Sequence, residues 1–109
     1  MEREKLIEGY LRRQVEARGG VCMKFISPGN DGVPDRVIIL PPARVYFAEL
    51  KTKVGRLSRV QWFQLKRMWK LGQTCSVVCG MDGAKQYIHD LDKGQVELFY
   101  GANEDDLEM

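Results

Sequence analysis

Three charged residues, Asp35, Glu49 and Lys51, lie among residues whose types favour burial. Buried charges are costly unless they are paired or coordinate a metal. Two carboxylates near the rim of a sheet suit Mg²⁺ or Mn²⁺, and a lysine beside such an ion can orient a water and stabilise charge on a phosphoryl group. The three residues therefore indicate metal-assisted phosphodiester hydrolysis. The structural alternative is a cross-strand salt-bridge cluster.

A β-hairpin must position these groups, because two apolar runs flank Pro41-Pro42-Ala43. A three-residue turn there pairs Leu40 with Arg44, and counting outward pairs Asp35 with Glu49. Directly opposite side chains have Cβ atoms about 5 Å apart, and two carboxylates that close repel each other unless a cation lies between them. A shift of the register by one residue would separate them, so the register is a checkable prediction.

The surrounding elements are predicted in the order α-β-β-β-α-β-α-β, which is typical of an α/β fold with a mixed sheet flanked by helices. One domain is expected over residues 1–100, and residues 101–109 are expected to form an acidic, flexible tail. Ser58 and Gln61 match a capping box at the start of a helix whose positions Leu65, Met68 and Leu71 face the core. The helices are predicted at 2–18, 58–71 and 82–91, and the strands at 21–26, 35–40, 44–51, 74–79 and 95–100.

The composition is ordinary for a globular chain, with 44% hydrophobic and 29% charged residues among 109. No apolar run approaches the roughly 18 residues that span a bilayer, and the charged N-terminal segment does not resemble a signal peptide. We therefore expect an intracellular, cytoplasmic protein that contacts no membrane.

The three cysteines do not form a disulfide framework, because their number is odd and their spacing irregular. A zinc site from Cys75, Cys79 and His89 is disfavoured, since residues four apart on a strand lie about 13 Å apart. Buried, inert thiols are the preferred interpretation.

The charge is distributed unevenly, although the net charge is only +2. No acid occurs between Glu49 and Asp82. Such a one-signed segment indicates a phosphate-binding surface, or alternatively a solvated helix face that is balanced elsewhere in the fold. The basic residues in this interval are Lys51, Lys53, Arg56, Arg59, Lys66, Arg67 and Lys70.

These motifs resemble the PD-(D/E)XK nuclease superfamily and, within it, a stand-alone VRR-NUC domain of viral or bacterial type. The resemblance covers residues 4 to about 90. It is carried by Gly32-Val33-Pro34-Asp35, an apolar hairpin, Glu49-Leu50-Lys51, a basic loop and Gln61 early in the next helix. It implies a restriction-endonuclease-like fold and a Mg²⁺- or Mn²⁺-dependent DNA endonuclease with no small-molecule cofactor.

The resemblance also implies roles for individual residues. Asp35, Glu49 and the carbonyl of Leu50 would be metal ligands, and Lys51 would position the attacking water. Gln61 matches the family's further active-site glutamine, although the capping box is an alternative role for it. Glu8 matches the acid of the first helix, and its alternative is an i,i+4 pair with Arg12.

The resemblance further implies branched DNA as the substrate, such as a four-way (Holliday) junction in repair or recombination. It also implies a homodimer and a phage or prophage origin. Interface candidates are Trp62, Trp69, Tyr46 and the last strand, for which the core is the alternative. DNA contacts are expected from Asn30 and from Lys53, Arg56, Arg59, Lys66, Arg67 and Lys70. A non-catalytic, sequence-specific or RNA-directed protein on the same fold is the competing hypothesis.

Overall fold

A five-stranded sheet forms the centre of the computed structural model, which describes residues 3–53 and 55–107. The described elements run α, β, β, β, α, β, α, β, with one further helical turn, so the predicted order is confirmed. They are α1 (Glu4–Ala17), β1 (Val21–Lys24), β2 (Arg36–Leu40), β3 (Arg44–Lys51), α2 (Arg59–Lys70), β4 (Cys75–Cys79), α3 (Gly80–Lys93), β5 (Phe99–Tyr100) and α4 (Glu104–Leu107).

The strands lie in the order β1-β2-β3-β4-β5, antiparallel from β1 to β3 and parallel from β3 to β5. Side chains alternate between the two faces of a strand. One face packs against α1 and α3, around Leu11, Ala48 and Tyr87. The opposite face packs against α2, around Leu65 and Val77. The predicted mixed sheet flanked by helices is therefore confirmed.

The hairpin register agrees with the prediction. Leu40 pairs with Arg44, and the ladder continues to Arg36 paired with Ala48. The next position along the two strands sets Asp35 beside Glu49. Turn length and the two-residue period were therefore sufficient to place these acids opposite each other.

Helix α2 begins as the capping box predicts. The N–H of Gln61 donates to Ser58 Oγ, and the N–H of Ser58 donates to Gln61 Oε1. Leu65 is buried and Met68 packs against the same cluster, but Leu71 is 71% exposed, so its predicted core position is wrong. Leu71 is the C-cap residue, and the chain turns immediately after it at Gly72. The Leu71 side chain therefore does not lie on the buried face of α2.

The last strand is shorter than predicted because side chains bind the backbone ahead of it. Ser76 Oγ donates to the carbonyl of Glu97, and the N–H of Glu97 donates to the Tyr100 hydroxyl oxygen. Regular pairing with β4 begins only at Phe99. In the segment predicted as a tail, the structure describes the single turn α4, and flexibility there stays a prediction. None of the helices described is long and apolar enough to cross a membrane.

Candidate active site

Asp35 directly precedes β2 and is fixed at both its main chain and its side chain. Its carbonyl accepts hydrogen bonds from the N–H of Phe25 at 2.8 Å and from Arg36 Nη1 at 2.9 Å. Its carboxylate Oδ1 accepts from the N–H of Leu50 at 3.1 Å. The last contact ties the start of β2 to the end of β3, so Asp35 lies next to the Glu49-Leu50-Lys51 triplet.

Glu49 and Lys51 project from the same face of β3, because they are two residues apart on a strand. Only 7% of the Glu49 side chain and 18% of the Lys51 side chain is exposed. Lys51 Nζ lies 3.7 Å from Glu49 Oε2. One ammonium group therefore faces a site that also holds the Asp35 carboxylate.

Gln61 performs both roles that its position allowed. Its Oε1 accepts from the N–H of Ser58 at 2.9 Å, which completes the cap of α2. Its Nε2 donates to Glu49 Oε2 at 3.2 Å. Because the two contacts use opposite ends of one amide, the cap and the active-site contact do not compete, and the start of α2 is fixed to the acid on β3.

Burial raises the pKa of both carboxyl groups. The pKa of Glu49 rises to about 8, mainly through burial and then through the charge of Asp35, against the lowering effect of Lys51. The pKa of Asp35 rises to about 6, again mainly through burial, while the N–H of Leu50 and the charge of Arg36 lower it. Lys51 and Arg36 thus do not offset the loss of hydration of the buried Glu49 and the partly buried Asp35, and the pair favours an additional positive charge.

The loop before Asp35 is held against α2 by close packing. Gly32 has φ +86°, and a Cβ built there would lie 2.7 Å from the carbonyl oxygen of Val60 and from its carbonyl carbon. Gln64 Nε2 donates to the carbonyl of Asp31 at 3.1 Å. Only glycine fits this conformation and contact without strain. The Gly-Val-Pro-Asp motif therefore sets the distance between the loop and the helix that carries Gln61.

On the first helix, Glu4 and the predicted Glu8 influence different groups. Glu8 Oε1 lies 3.9 Å from Arg12 Nη1, which is the alternative that the i,i+4 spacing offered. The negative charge of Glu4, an exposed residue in the first turn of α1, helps to raise the pKa of Asp35 and of Glu49. The two glutamates are one helical turn apart on the same face, so periodicity could not choose between them.

The expected DNA-contacting side chains lie at the surface. Lys53 pairs with Asp82 at 3.9 Å, and Asn30 Nδ2 donates to Ser27 Oγ at 3.0 Å. Lys66 Nζ lies 5.3 Å from the centre of the Trp62 ring. The exposed members of the set are Asn30, Lys53, Arg56, Arg59, Lys66, Arg67 and Lys70.

The aromatic interface candidates divide between core and surface. Tyr46 is buried in the cluster beneath α1 and α3. Trp62 packs edge-on against Phe99, with the ring centres 5.7 Å apart. Trp69 is 45% exposed, and its Nε1 donates to the carbonyl of Cys75 at 3.3 Å. Of the three, Trp69 presents the largest exposed fraction for an external partner.

The residues present suit a divalent ion of the magnesium type. Mg²⁺ is bound in proteins by one or two carboxylates and keeps several waters. Asp35 and Glu49 provide two hard oxygen donors, and Leu50, the residue after Glu49, donates its N–H to Asp35. Among residues 3–53 and 55–107, no group of three or more His, Cys, Asp and Glu has the arrangement of an all-protein metal site. Cys75 and Cys79 are buried on β4 in the cluster beneath α2, in register with Phe47 and Lys51 of β3.

Comparisons with known proteins agree with this fold. No family model matches the chain. A protein of Acyrthosiphon pisum secondary endosymbiont phage 1, described as "Putative nuclease p44", is 36% identical over 80 residues, which is 73% of this chain and 86% of that protein. A solved "VRR_NUC domain" superposes with a TM-score of 0.74 at 28% identity, and covers 79% of this chain and 94% of the other.

A mixed sheet with an acid before its second strand and Glu-Leu-Lys on its third defines a nuclease of the PD-(D/E)XK class. The chain belongs to the VRR-NUC family of nucleases within that class. The family resemblance drawn from the sequence is thereby confirmed.

Proposed function

We propose that the protein is a metal-dependent endonuclease that hydrolyses phosphodiester bonds in branched DNA, such as four-way junctions. The observation that carries this proposal is the convergence of the buried Glu49 and the partly buried Asp35 on one site with Lys51. A cation relieves the repulsion between the carboxylates, and the same cation can stabilise charge on a phosphoryl group.

Asp35, Glu49 and the carbonyl of Leu50 would hold Mg²⁺ or Mn²⁺. The bound ion supplies Lewis-acid stabilisation of the phosphoryl oxygens and lowers the pKa of a coordinated water. Lys51 orients the attacking water and donates a hydrogen bond to the developing negative charge on phosphate. Gln61 holds Glu49 in place through its 3.2 Å contact. Glu4 acts on the site through its negative charge, which helps to raise the pKa of Asp35 and of Glu49.

Binding of the DNA backbone relies on the exposed basic residues around the site. Arg56 and Arg59 lie before and at the start of α2, the helix that also carries Gln61. Phosphate contacts of this kind position a duplex without reading its sequence. Affinity should therefore fall steeply as salt rises, since each neutralised phosphate releases counterions.

A homodimer is proposed through the half of the sheet that α2 leaves uncovered. Val21 pairs with Ile39 and Ile39 with Val45, so these three side chains form one row across β1, β2 and β3, with Met23 beside it. They are between 38% and 45% exposed.

The uncovered row leaves on the order of 300 Å² of apolar surface in water, which is comparable to the largest apolar patch of a typical monomer, a patch that is often functional. With a polar rim it can form the centre of an interface of about 800 Å² per partner. Two active sites related by a two-fold axis could then cut both strands of a symmetric junction. We place this activity in DNA repair or recombination inside a cell that carries a phage or prophage.

A cleavage assay tests the proposal. Labelled linear duplex, flap, four-way junction and structured RNA are incubated with the protein in EDTA, Mg²⁺ or Mn²⁺. We expect cleavage of the junction in the presence of either ion and no cleavage in EDTA. Cleavage that survives EDTA would contradict the metal mechanism. Binding without cleavage under every condition would favour a non-catalytic protein, and preferred cutting of RNA or of one linear sequence would contradict the substrate.

A further inference from the structure

A groove between α2 and the segment before β5 has features that the proposed catalytic site does not use. It has a volume of about 300 Å³, at the lower end of small-ligand sites. Its walls are the rings of the two tryptophans, two leucines and the stems of two lysines. These residues are Trp62, Leu65, Lys66, Trp69, Lys70 and Leu98.

The groove combines an apolar interior with a cationic rim. Lys66 and Lys70 are exposed, and none of the ion pairs between described residues involves either. Trp69 is held by the bond from its Nε1 to the carbonyl of Cys75, which fixes the plane of a ring that is 45% exposed. A fixed aromatic ring next to lysines is the arrangement on which single-stranded nucleic acids stack their bases while the cations bind the phosphates.

The position along α2 relates the groove to the catalytic residues. Gln61, which contacts Glu49, lies eight residues before Trp69, which corresponds to about 12 Å along the helix axis. A stacked strand advances about 3.4 Å per nucleotide, so this distance corresponds to about three or four nucleotides. A strand that runs along α2 can thus occupy the groove and the active site at the same time.

We infer that the Trp62–Trp69 groove binds an unpaired nucleotide of DNA, with the base against Trp69 and the phosphates at Lys66 and Lys70. The inference rests on the proposed DNA substrate and extends it, because a branch point offers unpaired bases that a continuous duplex does not. The positive charges of Lys66 and Lys70 favour a polyanion. The apolar walls favour an unpaired base over a duplex, because the bases of a duplex are already stacked on one another.

The two tryptophans of the chain make a direct measurement available, because both line the groove and no other tryptophan contributes. Intrinsic fluorescence is followed as oligothymidylate is added in EDTA, which prevents cleavage under the proposed mechanism. We expect the single strand to quench the emission, and a blunt duplex with the same number of phosphates to quench it much less. Equal quenching by the two, or none by either, would overturn the inference.

Variants then test whether the single strand binds in the Trp62–Trp69 groove. Trp69→Ala should raise the dissociation constant for a labelled single strand about fivefold or more, the lower end of base–aromatic stacking, and Trp69→Phe should keep most of the affinity. Lys70→Gln should weaken binding more than Arg67→Gln, which removes one charge from the other flank of α2, beside Phe25 and Leu71. Thermal unfolding confirms that each variant is folded.

The results separate this inference from the proposed function. If the wild-type protein cleaves no DNA but Trp69→Ala still weakens single-strand binding, the result supports nucleotide binding in the groove and contradicts only the proposed catalytic function. If junctions are cleaved and Trp69→Ala binds the single strand like wild type, only the groove inference is overturned. A loss of dimer mass in Trp69→Ala, with single-strand binding unchanged, would assign the groove to a second copy of the chain.

Discussion

Gln61 Nε2 donates to Glu49 Oε2 at 3.2 Å while Oε1 of the same amide accepts from the N–H of Ser58. The contact joins helix stability to the geometry of the active site, since one side chain accepts from the N–H of the N-cap residue Ser58 and also binds the acid on β3. Substitutions at Ser58 and Gln61 can separate these two effects.

Ser58→Ala should lower the free energy of unfolding by about 1 kcal/mol, because it removes the acceptor for the N–H of Gln61. Cleavage by the folded variant should stay close to wild type. Gln61→Glu keeps an acceptor for the cap but places a second carboxylate beside Glu49, so cleavage should fall by about tenfold or more. Denaturant unfolding and single-turnover cleavage measure the two quantities. Equal loss of activity in both variants would contradict a separate role for the Gln61 amide.

Lys51→Met should reduce the cleavage rate by about 100-fold or more at saturating DNA, because it removes the cation that serves the attacking water and the phosphoryl charge. Lys53→Met is the matched control. Lys53 is 67% exposed, and its ion pair within the described part of the chain is with the exposed Asp82, so its loss should weaken DNA binding and leave the maximal rate within about threefold. A Lys51→Met protein that keeps the wild-type maximal rate would exclude the proposed role of Lys51.

The metal-free protein should become less stable as the pH rises. Burial raises the pKa of Glu49 to about 8 and that of Asp35 to about 6, so between about pH 4 and pH 8 the folded chain holds protons that the unfolded chain releases. The stability that this provides is complete at low pH and is lost as the pH rises through the folded-state values. In EDTA we expect the unfolding temperature to fall by roughly 5 °C or more between pH 5 and pH 8.

Glu49→Gln is the control for this pH dependence, because it keeps the shape of the side chain and removes its titration. Its unfolding temperature should fall less over the same range. Mn²⁺ or Mg²⁺ should raise the wild-type unfolding temperature more at pH 8 than at pH 5, since the metal requires deprotonated ligands. Identical pH profiles for wild type and Glu49→Gln would refute the coupling.

Ile39→Glu should dissociate the proposed dimer, because it places a charge in the centre of the uncovered apolar row. Light scattering of the wild type at micromolar concentration should give twice the chain mass of 12.5 kDa, and the variant should give the mass of one chain. Leu6→Glu is the control, since Leu6 is also exposed and apolar but lies on α1, across the sheet. A light-scattering mass of one chain for the wild-type protein would contradict the proposed dimer.

Gly32→Ala should destabilise the protein considerably more than Gly72→Ala. Both glycines have positive φ, near +85°, so alanine pays about 1 kcal/mol of backbone strain at either position. At Gly32 the new Cβ would also meet the backbone of Val60 at 2.7 Å, whereas at Gly72 no heavy atom lies within 4 Å. Denaturant unfolding should show at least twice the loss for Gly32→Ala, with reduced cleavage, and equal losses would contradict the packing argument.

Local rules predicted the hairpin and the cap correctly. The turn at Pro41-Pro42-Ala43 and the two-residue period of a strand set Asp35 opposite Glu49, and both depend only on neighbours in sequence. The Ser58–Gln61 capping box is equally local, because it involves one helical turn. The family signature rested on these same short segments.

Contacts between segments that are distant in the sequence could not be predicted from such local rules. Helical periodicity placed Glu4 and Glu8 on one face, but only the packing of α1 against the sheet brought Glu4 to Asp35. Likewise, the sequence allowed two roles for Gln61, and the distance between α2 and β3 permitted both.

The sequence by itself determined which side chains share a face and a register, because the periods of strand and helix are fixed by backbone geometry. Tertiary structure decided that the charge of Glu4 acts on Asp35 and Glu49. It also decided how far these two carboxylates are withdrawn from water, which raises their pKa values. It also left one half of a sheet face uncovered and formed a groove beside α2. Burial and distance depend on how separate elements pack, which no local pattern encodes.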